Sequence, residues 1–207
     1  MTKLFLHGLG QNASSWNQTL QSIPDAIALE LNDLIKGKEA MYSVLYEAFS
    51  KECQTIAKPL HLCGLSLGAI LAMHYAIDHP DHVASLILIA GQYKMPKNML
   101  KLQSAIFHIM PSKSFTSMGF SKKDFIKLTS SMAELDFAND LHRITCPALI
   151  LCGEKDKTNQ KAAKALSENI PHARLALIKD AGHEVNLDTP ETLAKEILTF
   201  YEKYTIK

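Results

Sequence analysis

The chain has 207 residues, 47% of them apolar and 21% charged, with a formal charge of +1 at pH 7. That length suits one domain, since single cores stop growing beyond ~250 residues, and the composition excludes a disordered or fibrous polymer. The near-neutral balance gives no electrostatic ground for a nucleic acid or an anionic membrane as partner. The four cysteines, Cys53, Cys63, Cys146 and Cys152, form no C-x-x-C pair. Three lie in or beside apolar runs, where a free thiol behaves as a small hydrophobe. The opening run Leu4-Phe5-Leu6 is too short for a signal peptide, and no stretch approaches the ~20 apolar residues of a membrane span. A reducing, cytoplasmic setting is the expectation. The histidines show no paired spacing of a metal site.

In chain order, short apolar runs alternate with longer helical patterns. The runs are Lys3–Leu6, Ala26–Leu31, Leu60–Cys63, Ala84–Ala90, Ala148–Cys152 and Arg174–Ile178. Several are almost continuously apolar, as strands covered on both faces by helices must be. Helices are expected at Glu39–Ile56, Leu67–Ile77, Gln160–Asn169 and Pro190–Tyr204, the last with Thr189 as N-cap and Pro190 at its first position. Such alternation predicts a parallel, doubly wound α/β sheet. One segment, residues 92–145, is too long for a simple connection and carries two helix-like stretches, Leu100–Met110 and Lys122–Phe137. It reads as a small lid inserted within a single domain spanning 1–207.

The strongest local signal is Gly64-Leu65-Ser66-Leu67-Gly68, which follows a strand and opens a helix. This is G-x-S-x-G in the context that gives the pattern its meaning. The serine must sit on a turn tight enough to push its hydroxyl out of the sheet, so the flanking positions need glycine. The helix behind it aims backbone N–H groups at a developing anion. A serine nucleophile needs a base, and the base an orienting acid. His183 follows the last strand in Asp180-Ala181-Gly182-His183, and Asp156 follows the fifth in Gly153-Glu154-Lys155-Asp156. All three residues fall beyond the carboxyl ends of strands, where open α/β sheets build their sites. Glu154 is a second candidate acid. Asp33, after the second strand, could line the site or cap a helix. His7-Gly8-Leu9-Gly10, after the first strand, would let the backbone approach a substrate, with the N–H groups of Leu9 and Leu67 as oxyanion donors. An ordinary strand-to-helix turn would look the same.

These residues together resemble the α/β-hydrolase superfamily over nearly the whole chain. The resemblance rests on His7-Gly8-Leu9-Gly10 with Ser14-Ser15-Trp16, Gly64 to Gly68, Pro147–Leu151 with Gly153 to Asp156, and Ala181-Gly182-His183. It implies Ser66 as nucleophile, His183 as general base and acid, Asp156 as orienting acid, and Leu9 and Leu67 as oxyanion donors. It also implies hydrolysis through an acyl-enzyme without metal or organic cofactor. Members usually carry two further strands before the HG-bearing one, so a mostly parallel sheet of about six strands with a trimmed edge is expected.

The expected activity is cleavage of a carboxylic ester or thioester of a small apolar molecule. The same triad in relatives cleaves carbon–carbon bonds or amides, and a ligand-sensing or partner-binding protein could retain the fold. Met95, Met99 and Met110 of the lid are candidate substrate contacts, although methionines in such segments commonly serve as core.

Overall fold

The computed structural model describes residues 1–95, 109–116 and 121–205. Its six strands are β1 (Lys3–Leu6), β2 (Ala26–Leu29), β3 (Leu60–Leu65), β4 (Val83–Ile89), β5 (Ala148–Gly153) and β6 (Ala173–Ile178). They form one sheet in the order β2-β1-β3-β4-β5-β6, and every pairing is parallel. The longer helices are α1 (Tyr42–Thr55), α2 (Leu67–Asp78), α3 (Lys122–Ser131), α4 (Lys157–Asn169) and α5 (Pro190–Thr205).

Alternation along the strands divides the core in two. Leu4, Leu6, Leu62, Leu86, Leu88 and Ile150 enter one cluster, shared with buried residues of α1, α2 and α4. Phe5, Cys63, Leu65, Ile87, Ile89, Leu149 and Leu151 enter the other, beneath Trp16 and the apolar stripe of α5. Each sheet face is therefore covered by helices, which is why the strands read as unbroken apolar runs.

Several predicted bounds move for local reasons. The second run ends at Leu29, because Glu30 turns its side chain to accept the Asn32 N–H and starts a short helix at Leu31. Helix α4 begins at Lys157 rather than Gln160, because Asp156 is itself the N-cap and accepts the Asn159 N–H. The pattern Lys122–Phe137 breaks after Ser131. The Thr129 and Ser131 hydroxyls bond back to carbonyls of the helix, and the chain then extends so that Asp136 pairs with Lys94. Thr189 does not cap α5 through its side chain, since among the described residues its buried hydroxyl has no partner, while its carbonyl accepts from Leu193. Most of the stretch Leu100–Met110 lies outside the described residues. Among the described residues no helix is long and apolar enough to cross a membrane.

Candidate active site

Three loops at the carboxyl edge of the sheet carry the site. After β3 the chain reverses at Ser66, whose φ of 53° and ψ of −110° are unusual for a residue with a side chain. Its N–H still donates to Ile89 on β4 (2.9 Å) and its carbonyl accepts from Ile70, so the strand runs into α2 without a connecting loop. The flanking glycines make this possible. A Cβ on Gly64 would stand 2.2 Å from the Gly68 carbonyl oxygen, and one on Gly68 would stand 2.3 Å from the Leu6 carbonyl oxygen. Ser66 is thereby lifted out of the sheet and held in a left-handed conformation that costs roughly 1–3 kcal/mol.

Beyond β5, Gly153 lets the following strand's loop come close: a Cβ there would lie 2.0 Å from the Gly182 carbonyl oxygen. That approach brings His183 to Asp156. The imidazole Nδ1–H donates to Asp156 Oδ2 at 2.8 Å, leaving Nε2 on the open side of the ring. The carboxyl group is 6% exposed and the imidazole 45%. Burial alone would raise the Asp156 pKa, but the hydrogen bonds from His183 and Asn159 outweigh it and hold the carboxyl below its ordinary range. Glu154 is exposed, and its backbone N–H is spent on Ile178. The structure therefore brings Asp156, not Glu154, to the histidine. Among the described residues no hydrogen bond joins Ser66 to His183.

Gly8 abuts the elbow, a Cβ there lying 3.5 Å from Ser66 Cβ. The Gly8–Gln11 turn is closed by the Gln11 N–H to the Gly8 carbonyl (3.1 Å). Among the described residues the N–H groups of Leu9 and Leu67 have no hydrogen-bond acceptor, as oxyanion donors must not. His7 is buried and links this turn to the end of β2. Its Nδ1 lies 2.9 Å from the Gly8 carbonyl, and its Nε2 meets the Leu31 N–H (3.1 Å) and the Glu30 carboxylate (3.0 Å). It fastens β1 to the end of β2.

Four functional-edge residues escaped the sequence reading. Gln11 and Asn186 exchange amide hydrogen bonds of 3.2 and 3.1 Å, and Gln11 also donates to Glu184 (3.0 Å). This couples the Leu9 turn to the loop that carries His183. Asn159 bonds Asp156, and Gln92 stands behind it and donates to Asn159. The only available signal was position: an amide three residues after each of Gly8, Asp156 and His183, and a fourth just past β4.

The lid methionines divide. Met95 is 5% exposed and belongs to the main core cluster, Met110 is half-buried with its carbonyl accepting from Lys122 (2.8 Å), and Met99 lies outside the described residues. Asp33 sits in the first turn of the short helix after Glu30 and lines a cavity of about 420 Å³ with Glu30, Lys36, Lys38, Ser121 and Asp124.

Comparison with known proteins places the chain in a family and a fold. The model of the alpha/beta hydrolase family matches residues 4–196. A monoacylglycerol lipase of Homo sapiens is 24% identical over 250 residues, covering 95% of this chain and 74% of the relative. A pimeloyl-[acyl-carrier protein] methyl ester esterase of Vibrio vulnificus is 23% identical, covering 97% of this chain and 94% of the relative. Among solved structures, a thermophilic esterase from Thermogutta terrifontis superposes with a TM-score of 0.78 at 18% identity, over 99% of this chain and 90% of that one.

Proposed function

Because this chain belongs to the alpha/beta hydrolase family, we propose that it is a serine esterase that cleaves the ester or thioester of a small apolar molecule through an acyl-enzyme. The observation that carries this reading is the buried Asp156 bonded to His183 at 2.8 Å, on the sheet edge where Ser66 occupies a strained elbow. The names of the lipase and esterase relatives support the ester as substrate. The four cysteines are all free and buried, in keeping with a reducing compartment such as the cytoplasm.

In this mechanism the Ser66 hydroxyl attacks the ester carbonyl carbon while His183 Nε2 takes its proton. Asp156 holds the ring in the Nδ1–H tautomer and stabilises the imidazolium. The N–H groups of Leu9 and Leu67 receive the oxyanion, each contributing about 3 kcal/mol. Collapse expels the alcohol, which takes the proton from His183. Water, deprotonated by the same histidine, then attacks the acyl-enzyme and frees the acid and Ser66. The bond between Ser66 and His183 forms as substrate closes the site, a tightening common to such pairs.

Residues 92–145 act as the lid in this reading. Helix α3 turns Phe125 and Leu128 inward and Lys123 outward, and Phe125 packs edge-on against Phe115 at 5.1 Å. An apolar pocket beneath such a lid would gain ~0.8 kcal/mol for each buried methylene, and a lid this short would cover only a few carbons. With p-nitrophenyl esters, kcat/KM should rise from acetate, peak at intermediate acyl length and fall for palmitate. A steady rise to palmitate would mean a deep channel in place of a short lidded pocket.

A further inference from the structure

We propose that Gln92 and Asn159 are positioning residues for this reaction: a relay of two amides, from the end of β4 to the first turn of α4, that fixes the orientation and the ionised state of Asp156. The inference rests on the triad assigned above and deepens it.

The relay begins with a strained turn. Ala90, directly after β4, is 2% exposed and has a φ of +50°. That conformation costs a residue with a side chain roughly 1–2 kcal/mol. It carries the chain out of the sheet, its N–H held by the Leu151 carbonyl (2.9 Å), two residues before Gln92. Gln92 Nε2 then donates to Asn159 Oδ1 at 2.7 Å, and Asn159 Nδ2 donates to Asp156 Oδ2, also at 2.7 Å. Asn159 is 6% exposed. Reversing its amide would set an oxygen against the carboxylate and an N–H₂ against Gln92, two repulsions in place of two bonds. The carboxylate, which only accepts, therefore sets the polarity of the line, and Gln92 donates to the Asn159 oxygen turned away from it.

The consequence falls on the acid. Asp156 Oδ2 accepts from both Asn159 Nδ2 and His183 Nδ1, which lie 3.2 Å apart as two donors converging on one oxygen. Oδ1 accepts the Asn159 backbone N–H at 3.3 Å. A carboxylate with three donors is favoured in its charged form and cannot rotate without breaking them. The other charged or titratable groups around it are the Cys152 thiol on β5, which bonds the Asp156 carbonyl (3.7 Å), Lys157 at the start of α4, the Lys155–Asp180 pair (3.7 Å), and Glu184 and Asp188 beyond His183. None of these donates to the carboxylate among the described residues. Besides His183, Asn159 is the residue that donates to the carboxylate among the described residues and helps keep it charged, and Gln92 acts only through Asn159.

Two variants test this, Asn159→Leu and Gln92→Met, each near the native volume and without the donor. The first readout is the low-field proton resonance of the His183 Nδ1–H, assigned by its loss in His183→Gln and independent of turnover. The second is the pH profile of kcat/KM for a p-nitrophenyl ester. Asn159→Leu should shift the resonance, move the acid limb to higher pH, and lower kcat roughly tenfold or more with KM little changed, as expected when a hydrogen bond to a charged group is lost. Gln92→Met, at a half-buried position that tolerates the change, should move all three in the same directions by less. A resonance and an acid limb unmoved in Gln92→Met would overturn the relay, whatever happens to thermal stability. If the native chain hydrolyses no ester yet both variants move the resonance, the relay stands and the esterase reading falls.

Discussion

Two histidine–serine neighbourhoods lie at opposite ends of β3, and they differ in everything except residue type. Near its start, His61 Nδ1 and Ser85 Oγ on β4 are 2.7 Å apart, a closer contact than Ser66 makes with His183. Yet His61 is 3% exposed and Ser85 0%. The other imidazole nitrogen is buried and has no partner among the described residues, and the ring stands edge-on to Tyr201 at 5.2 Å. Burial, helped by repulsion from Lys3 and the amino terminus, pushes the His61 pKa down to about 4. At the other end of β3, His183 has a carboxylate on one side and an open nitrogen on the other, and Ser66 is pushed out of the sheet. A short Ser–His contact is therefore no mark of a nucleophile. The acid, the access and the strained backbone are.

The comparison can be broken most severely at Ser66. Ser66→Ala should abolish turnover of p-nitrophenyl esters, a loss of several orders of magnitude, with the far-UV dichroism of the native chain retained. Residual turnover near the native rate would move the chemistry elsewhere.

The next largest effect belongs to the acid. Asp156→Asn should cut kcat by orders of magnitude, because an amide in place of the carboxylate leaves the imidazolium uncompensated and favours the wrong tautomer. Glu154→Gln, at an exposed carboxylate that does not reach His183, should leave kcat within about twofold, as surface changes usually do. The reverse ranking in steady-state kinetics would return the role to Glu154.

These expectations follow from parts of the chain with very different legibility. The places of Ser66, Asp156 and His183 were readable because each follows a strand: Ser66 after β3, Asp156 after β5 and His183 after β6. Strand identity was readable for the same reason, since a strand covered on both faces leaves an unbroken apolar run. The amides were not. Gln11 and Asn186 pair across 175 residues and Gln92 and Asn159 across 67, and no local pattern marks such pairs. Met95 misled because an apolar residue in a lid-like segment looks the same whether it faces a substrate or, as here, the core. The bound at Ser131 was missed because hydroxyls that bond back into a helix compete with an otherwise continuous apolar period.

The smallest effects belong to the buried pair. His61 has a lowered folded pKa, so the folded state binds fewer protons than the unfolded one below neutral pH. Its contribution to stability is present above ~6.5, the ordinary histidine value, and is lost as the pH falls through about 4. The loss amounts to no more than about 3 kcal/mol. His61→Gln should flatten this acid-side slope in urea denaturation, and an unchanged slope would mean His61 does not titrate in that window. Ser85→Ala, which removes one buried hydrogen bond, should cost about 1 kcal/mol of stability and leave ester turnover unchanged.

In the proposed reaction Ser66, and not the better-bonded Ser85, is the nucleophile. Labelling the native chain with a fluorophosphonate and mapping the adduct by peptide mass spectrometry tests it directly. One adduct per chain is expected, on Ser66; an adduct on Ser85 or another serine, with Ser66 unmodified, would take the nucleophile's role away from Ser66.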